Sequence, residues 1–134
     1  MATLKTNTLT GTSTAGSIAV TGEGNSTTTN LQQGLAKVWA HYNGTGTPAI
    51  VDSLNASGIT DNGTGDYDVN FTNNFRAATV YAVAGNGNNT EALWHAPQQG
   101  STMLSSDVRM QTRNSLTNLA DCSSAVVSMH GDLA

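Results

Sequence analysis

The stretch Asp66-Tyr67-Asp68-Val69-Asn70-Phe71 alternates without a break, with Tyr67, Val69 and Phe71 apolar and Asp66, Asp68 and Asn70 polar. A period of two belongs to a half-buried β-strand, whose successive side chains leave opposite faces. The apolar three are expected to point inward and the polar three to solvent. Just before them lies Thr60-Asp61-Asn62-Gly63-Thr64-Gly65. Its Asn-Gly pair offers the positive φ angles of a hairpin turn. The same texture recurs along the chain. Strands are predicted at Leu35–Tyr42 (ended by Asn43-Gly44-Thr45-Gly46), Ala49–Leu54 behind Pro48, Ala78–Ala84, Ala92–His95, Val108–Arg113 and Ala125–His130. About seven short strands at such turn spacings predict an all-β fold, a small β-sandwich or barrel. Helical periodicity is weak, a single turn near Asn30–Gly34 or Ser115–Ala120 at most. No fixed-period repeat occurs, which argues against a propeller or solenoid.

The core of such a fold is lean here. Of 134 residues, 37% are hydrophobic and 10% charged, against roughly 45–50% and 25% in ordinary domains. Thr, Asn, Ser and Gly take the space, which suits short strands and tight turns. Low charge argues against charge-driven disorder. The lean core suggests that some burial is supplied by other subunits of a homo-oligomer. Residues 1–30 hold Leu4, Leu9, Ile18 and Val20 as their only large apolar groups. Such a segment buries too little to offset its own ordering entropy. An extended N-terminal arm over 1–30 is therefore expected, ahead of a β-sandwich domain over 31–134. The Thr-rich arm, with Ser17-Ile18-Ala19-Val20-Thr21, is suited to add a strand to another chain. Fully extended, it would reach on the order of 100 Å.

Several function classes are disfavoured. Net charge is −4, and the five basic residues Lys5, Lys37, Arg76, Arg109 and Arg113 form no cluster, so no nucleic-acid footprint is expected. No apolar run approaches a membrane span, and Met1–Thr14 lacks the apolar region of a signal peptide. Synthesis in a cytoplasm without export by that route is expected. Cys122 stands alone, which rules out an internal disulfide; Ser124-Ala125-Val126-Val127 beside it predicts a buried thiol.

Each candidate constellation fails its spacing test. Asp61–Asp68 has calcium-loop residue types, but EF-hand positions three and five fall on Gly63 and Gly65, and the twelfth on Thr72 where a Glu is required. A hairpin turn accounts for the same residues. His41, His95 and His130 lack zinc-ligand spacing. No Gly-x-Ser-x-Gly occurs, which argues against a hydrolase elbow. Gly85-Asn86-Gly87-Asn88-Asn89 lacks the Lys-Ser/Thr ending of a phosphate loop and reads as a turn. The Asn-x-Ser/Thr sites at Asn25, Asn43, Asn55, Asn62, Asn70 and Asn88 reflect composition. Trp39 and Trp94 are read as anchors of the core or of a subunit interface, the core first, and Arg109 and Arg113 as a solvated or interface surface. No catalytic, cofactor or metal residue is assigned, and no enzyme activity is expected.

The stretch from Leu31 to Phe75 resembles a module of virion proteins from tailed phages, especially phages of marine bacteria. The resemblance is carried by Gly34-Leu35-Ala36-Lys37 with Trp39, by Asn43-Gly44-Thr45-Gly46-Thr47 and by Ile59-Thr60-Asp61-Asn62-Gly63-Thr64-Gly65-Asp66-Tyr67. The openings Met1–Leu9 and Thr21–Thr28 also look like the start of such proteins. The likeness covers a little over half the chain and thins after Phe75. It implies a β-rich virion component made in the host cytoplasm, either a capsid decoration (cement) protein or a tail-fibre, receptor-binding piece. A fibre needs a long shaft, whereas a cement protein needs a knob and an arm. The expectation is therefore a decoration protein bound to the major capsid protein, as a trimer that would match the three-fold positions of an icosahedral shell, with a glycan-binding tail-fibre module as the alternative. A cellular carbohydrate-binding module stands third.

Overall fold

The computed structural model describes residues 3–14, 18–22, 24, 26–88, 92–97 and 103–134, with 88 and 92–97 as backbone alone. The chain divides into two units, Met1–Leu35 and Ala36–Ala134.

In the first unit, strands β1 (Ala19–Thr21) and β2 (Thr28–Asn30) pair antiparallel, Val20 opposite Thr29. Both strands are exposed along their whole length. A single helical turn, α1 (Leu31–Gly34), follows. Asn30 caps it, its side chain accepting from the Gln33 amide at 3.1 Å, as an Asn at this position does for an otherwise unpaired N–H.

The second unit carries eight strands: β3 (Val38–Asn43), β4 (Ala49–Leu54), β5 (Ala56–Gly63), β6 (Asp66–Phe71), β7 (Tyr81–Asn88), β8 (Ala92–Pro97), β9 (Asp107–Asn114) and β10 (Ser124–Gly131). They form two open antiparallel sheets, ordered β4-β3-β10-β7 and β5-β6-β9-β8. The fold is all-β and a sandwich, not a closed barrel. Val38, Ala40 and Tyr42 of β3 and Ala125, Val127 and Met129 of β10 face Tyr67, Val69 and Phe71 of β6 and Val108 and Met110 of β9. The inward alternation expected of β6 is present, with Tyr67 and Val69 fully buried. Tyr42 meets Tyr67 edge-on, ring centroids 5.5 Å apart, tying one sheet to the other. Phe75 stacks on Tyr81 at 4.1 Å, with Phe71 edge-on to both.

The chain crosses between sheets at Asn55, the only residue between β4 and β5. Its φ of 57° is left-handed, a conformation Asn tolerates better than most residues. Its amide donates to the Lys37 and Asn73 carbonyls and its Oδ1 accepts from the Asn73 N–H, so the crossing is held by its own side chain.

The segment before β6, Gly85–Asn88 and Trp39 depart from expectation. The segment before β6 is not a loop around Asn62-Gly63. Strand β5 continues to Gly63 and the turn is Thr64-Gly65, where Gly65 has φ +64°. Gly85–Asn88 is not a turn but the second half of β7, which pairs with β10 from Tyr81 through Asn88. A glycine suits Gly87, since a Cβ there would lie 3.1 Å from Cys122 Sγ. Of the two places expected to hold a single helical turn, Leu31–Gly34 holds it and Ser115–Ala120 does not. Trp39 is not a core anchor: it lies on the outer face of its sheet, because Val38, Ala40 and Tyr42 take the inward positions. The side chains of Trp94 and His95 lie outside the described residues, as does Asn89. Among the described residues no helix is long and apolar enough to cross a membrane.

Candidate functional site

Strand alternation that sends Val38, Ala40 and Tyr42 inward sends Trp39 and His41 outward. Strand β10 does the same with Val126 and Ser128. The register then lines up two rows across the outer face of the first sheet. Ala84, Ser128, Trp39 and Leu54 are successive cross-strand neighbours, and so are Asn86, Val126, His41 and Asp52. Between β3, β10 and β7 the surface forms a groove of about 530 Å³, with Trp39 at one side and Ala84, Gly85 and Asn86 at the other. On the β10 and β7 side of the indole the row continues with the short Ser128 and Ala84, whereas on the β4 side Leu54 stands next to it. His41 is fixed by a hydrogen bond between its Nε2 and Ser124 Oγ, 2.9 Å apart. Val126 is 45% exposed in the groove. Chemically, this is a shallow, open, mainly apolar floor with a few polar groups at its edges.

The outer face of the second sheet is built differently. Arg109 and Asp66 form a two-pronged ion pair. Gln111 Nε2 also donates to Asp66, at 3.4 Å, and Arg113 donates to Gln111 Oε1 at 2.7 Å and to the Thr117 carbonyl at 2.8 Å. The hydrogen bond from Arg109, with help from Gln111, holds the Asp66 carboxyl below its ordinary value of 3.8 against the opposing effect of burial. Sequence alternation placed Asp66 in solvent; with 7% exposure it is buried. These groups satisfy one another and leave no open acid–base pair between Asp66 and Arg109.

A third polar cluster closes one end of the sandwich. The Tyr67 hydroxyl donates to the Gly44 carbonyl and to Asp121 Oδ1, each at 2.9 Å, and the Gly65 N–H donates to the same Oδ1 at 2.8 Å. Burial first, then the Asp121 carboxylate, pushes the Tyr67 phenol far above its usual range. No local motif marks Asp121, because its partners are more than fifty residues away.

The calcium reading meets separate engagements. Asp61 Oδ1 accepts from the Gly63 N–H at 2.9 Å, Asp66 is held by Arg109, and Asp68 stands opposite Arg109 in the register. Among the described residues no three His, Cys, Asp or Glu side chains are grouped to hold a metal ion. His130 is exposed, beside Ser128. Cys122 is fully buried, its thiol donating to the Ser124 carbonyl.

Comparison with models of protein families and with curated protein sequences finds no match. Among solved structures, the fold is similar to part of the phiAB6 tailspike, solved in complex with three-repeated oligosaccharides of Acinetobacter baumannii surface polysaccharide. The TM-score is 0.56 at 14% identity, over 85% of this chain and 23% of that one. The chain thus spans less than a quarter of the tailspike chain. At that identity the likeness is one of fold.

Proposed function

We propose that this chain is a phage virion component of the tail-spike or tail-fibre kind, a β-sandwich module that contacts host-surface glycan. The observation that carries the reading is the fold likeness to part of a tailspike that was captured with surface oligosaccharides. The Trp39 groove agrees with it, since an open apolar floor with polar edges is a binding surface. The polar clusters also favour a binder over an enzyme: Asp66 is committed to Arg109 and Asp121 to Tyr67, so these carboxylates stabilise the fold. Lean core and low charge keep homo-oligomeric assembly, with a trimer first, inside the same proposal. The fold likeness moves the weight from the shell to the tail, although the residue pattern first favoured a cement protein on the major capsid protein.

Gold-labelled antibody raised against residues 36–134 tests this on intact particles. Label at the tail is expected, together with slower adsorption to host cells in the presence of the free chain. Label spread over the shell would overturn the tail reading and restore capsid decoration.

A further inference from the structure

We propose that Trp39, with Asn86 and Ser128 beside it, forms a subsite for one uncharged pyranose ring lying flat on the indole; this rests on the glycan-binding reading and names its site.

Tyr42, Tyr67, Phe71, Phe75 and Tyr81 are all buried. Among the described aromatic side chains, Trp39 alone is not. The largest apolar side chain of the set thus sits where water reaches it, and covering it would be favourable. Leu54 is its cross-strand neighbour on β4, but on the other side Ser128 and, beyond it, Ala84 carry at most one heavy atom beyond Cβ, so a flat ligand can approach it from that side.

A pyranose presents a face of C–H bonds and a rim of hydroxyls. The face suits an aromatic plane through dispersion and weak C–H contacts. The rim needs donors and acceptors near that plane. Asn86 supplies both through one amide, and Ser128 through one hydroxyl. Both line the groove with Trp39.

No Lys, Arg, Asp or Glu is among the described residues lining the groove, so a phosphate or carboxylate sugar would find no countercharge from a formally charged side chain there. The volume of about 530 Å³ falls in the range of small-ligand sites, roughly 300–1,000 Å³, and exceeds what one ring needs. Neighbouring residues of a glycan chain can leave by the open side.

The test uses the full chain with methyl α- and β-hexopyranosides of the gluco, galacto and manno series, read by saturation-transfer NMR and by indole fluorescence. At least one glycoside should bind with a dissociation constant on the order of 1 mM, as the efficiency of small ligands allows. Trp39→Ala should abolish the signal, Trp39→Phe should retain a weakened one, and Asn86→Ala should weaken binding roughly tenfold. Unchanged circular dichroism would show that each variant still folds. The proposal is overturned if no glycoside binds, or if Trp39→Ala binds as the parent does. It is also overturned if Trp39→Ala lowers the subunit number in sedimentation without glycoside binding by the parent, because the face is then a contact between copies. Failure here with gold label at the tail leaves the tail assignment standing; label on the shell removes that assignment whatever the glycosides do.

Discussion

Arg109 grips Asp66 with both Nε and Nη2, at 2.8 and 2.9 Å, along a diagonal between β9 and β6, where Asp68 is the residue directly opposite Arg109. The pairing places a carboxylate at a position with 7% exposure, which would be costly without a charged donor beside it.

This relationship makes stability pH-dependent with a definite sign. The folded Asp66 titrates below 3.8, so the unfolded chain binds more protons in the interval beneath that value. The stabilisation is fully present above 3.8 and disappears as pH falls through the folded value. Asp66→Asn should melt lower than the parent at neutral pH, and the gap should narrow through the acid range. A gap of constant size across that range, measured by thermal melts, would remove Asp66 as the titrating group.

Tyr67 is fully buried and its hydroxyl serves Gly44 and Asp121 together. Tyr67→Phe keeps the ring and deletes the donor, leaving both acceptors short of a partner. A loss of about 1–3 kcal/mol in denaturant unfolding is expected, with no change in secondary structure. Asp121→Ala should overlap strongly with it in a double-mutant cycle, since the two share one bond.

Two glycines with the same backbone sign should respond very differently to alanine. Gly65 has φ +64°, and a Cβ there would lie 2.6 Å from both the Ala120 nitrogen and the Thr112 carbonyl oxygen, backbone atoms that cannot swing aside. Gly46 has φ +67° but open space around it. Gly46→Ala should cost about 1–2 kcal/mol from backbone strain alone. Gly65→Ala should cost more than roughly 3 kcal/mol, and soluble yield with urea unfolding compares the two directly.

Cys122 has no exposed surface and its thiol faces the Ser124 carbonyl. In native buffer it should react with an aromatic disulfide reagent only as fast as the fold opens, and promptly in denaturant. Rapid reaction in native buffer would show that the sheet edge near Gly87 opens readily.

Of the proposed subsite, the sequence marked Trp39 as a residue to notice but placed it inward. In Val38–Asn43 both faces carry an aromatic, Tyr42 on one and Trp39 on the other, and a strand pattern with two apolar faces does not choose between them. Asn86 was hidden because Gly85-Asn86-Gly87-Asn88 has the composition of a turn. It is extended because β10 offers it a full ladder of backbone pairs, with Val126 opposite Asn86, and such pairing overrides weak local preference.

Sequence alone determined the all-β class, the positions of most strands and the inward set Tyr67, Val69 and Phe71, because period-two alternation and turn residues act between near neighbours. Only the tertiary structure decided that Asp66 is buried, that Gly85–Asn88 is strand and that Trp39 looks outward. Each outcome depends on a residue far along the chain. Arg109 is 43 positions from Asp66 and Asp121 is 54 from Tyr67; β10, which pairs with both β3 and β7, comes last of all. The free energy of a buried charge or an unlikely strand is set by the partner that meets it, and local sequence does not contain that partner.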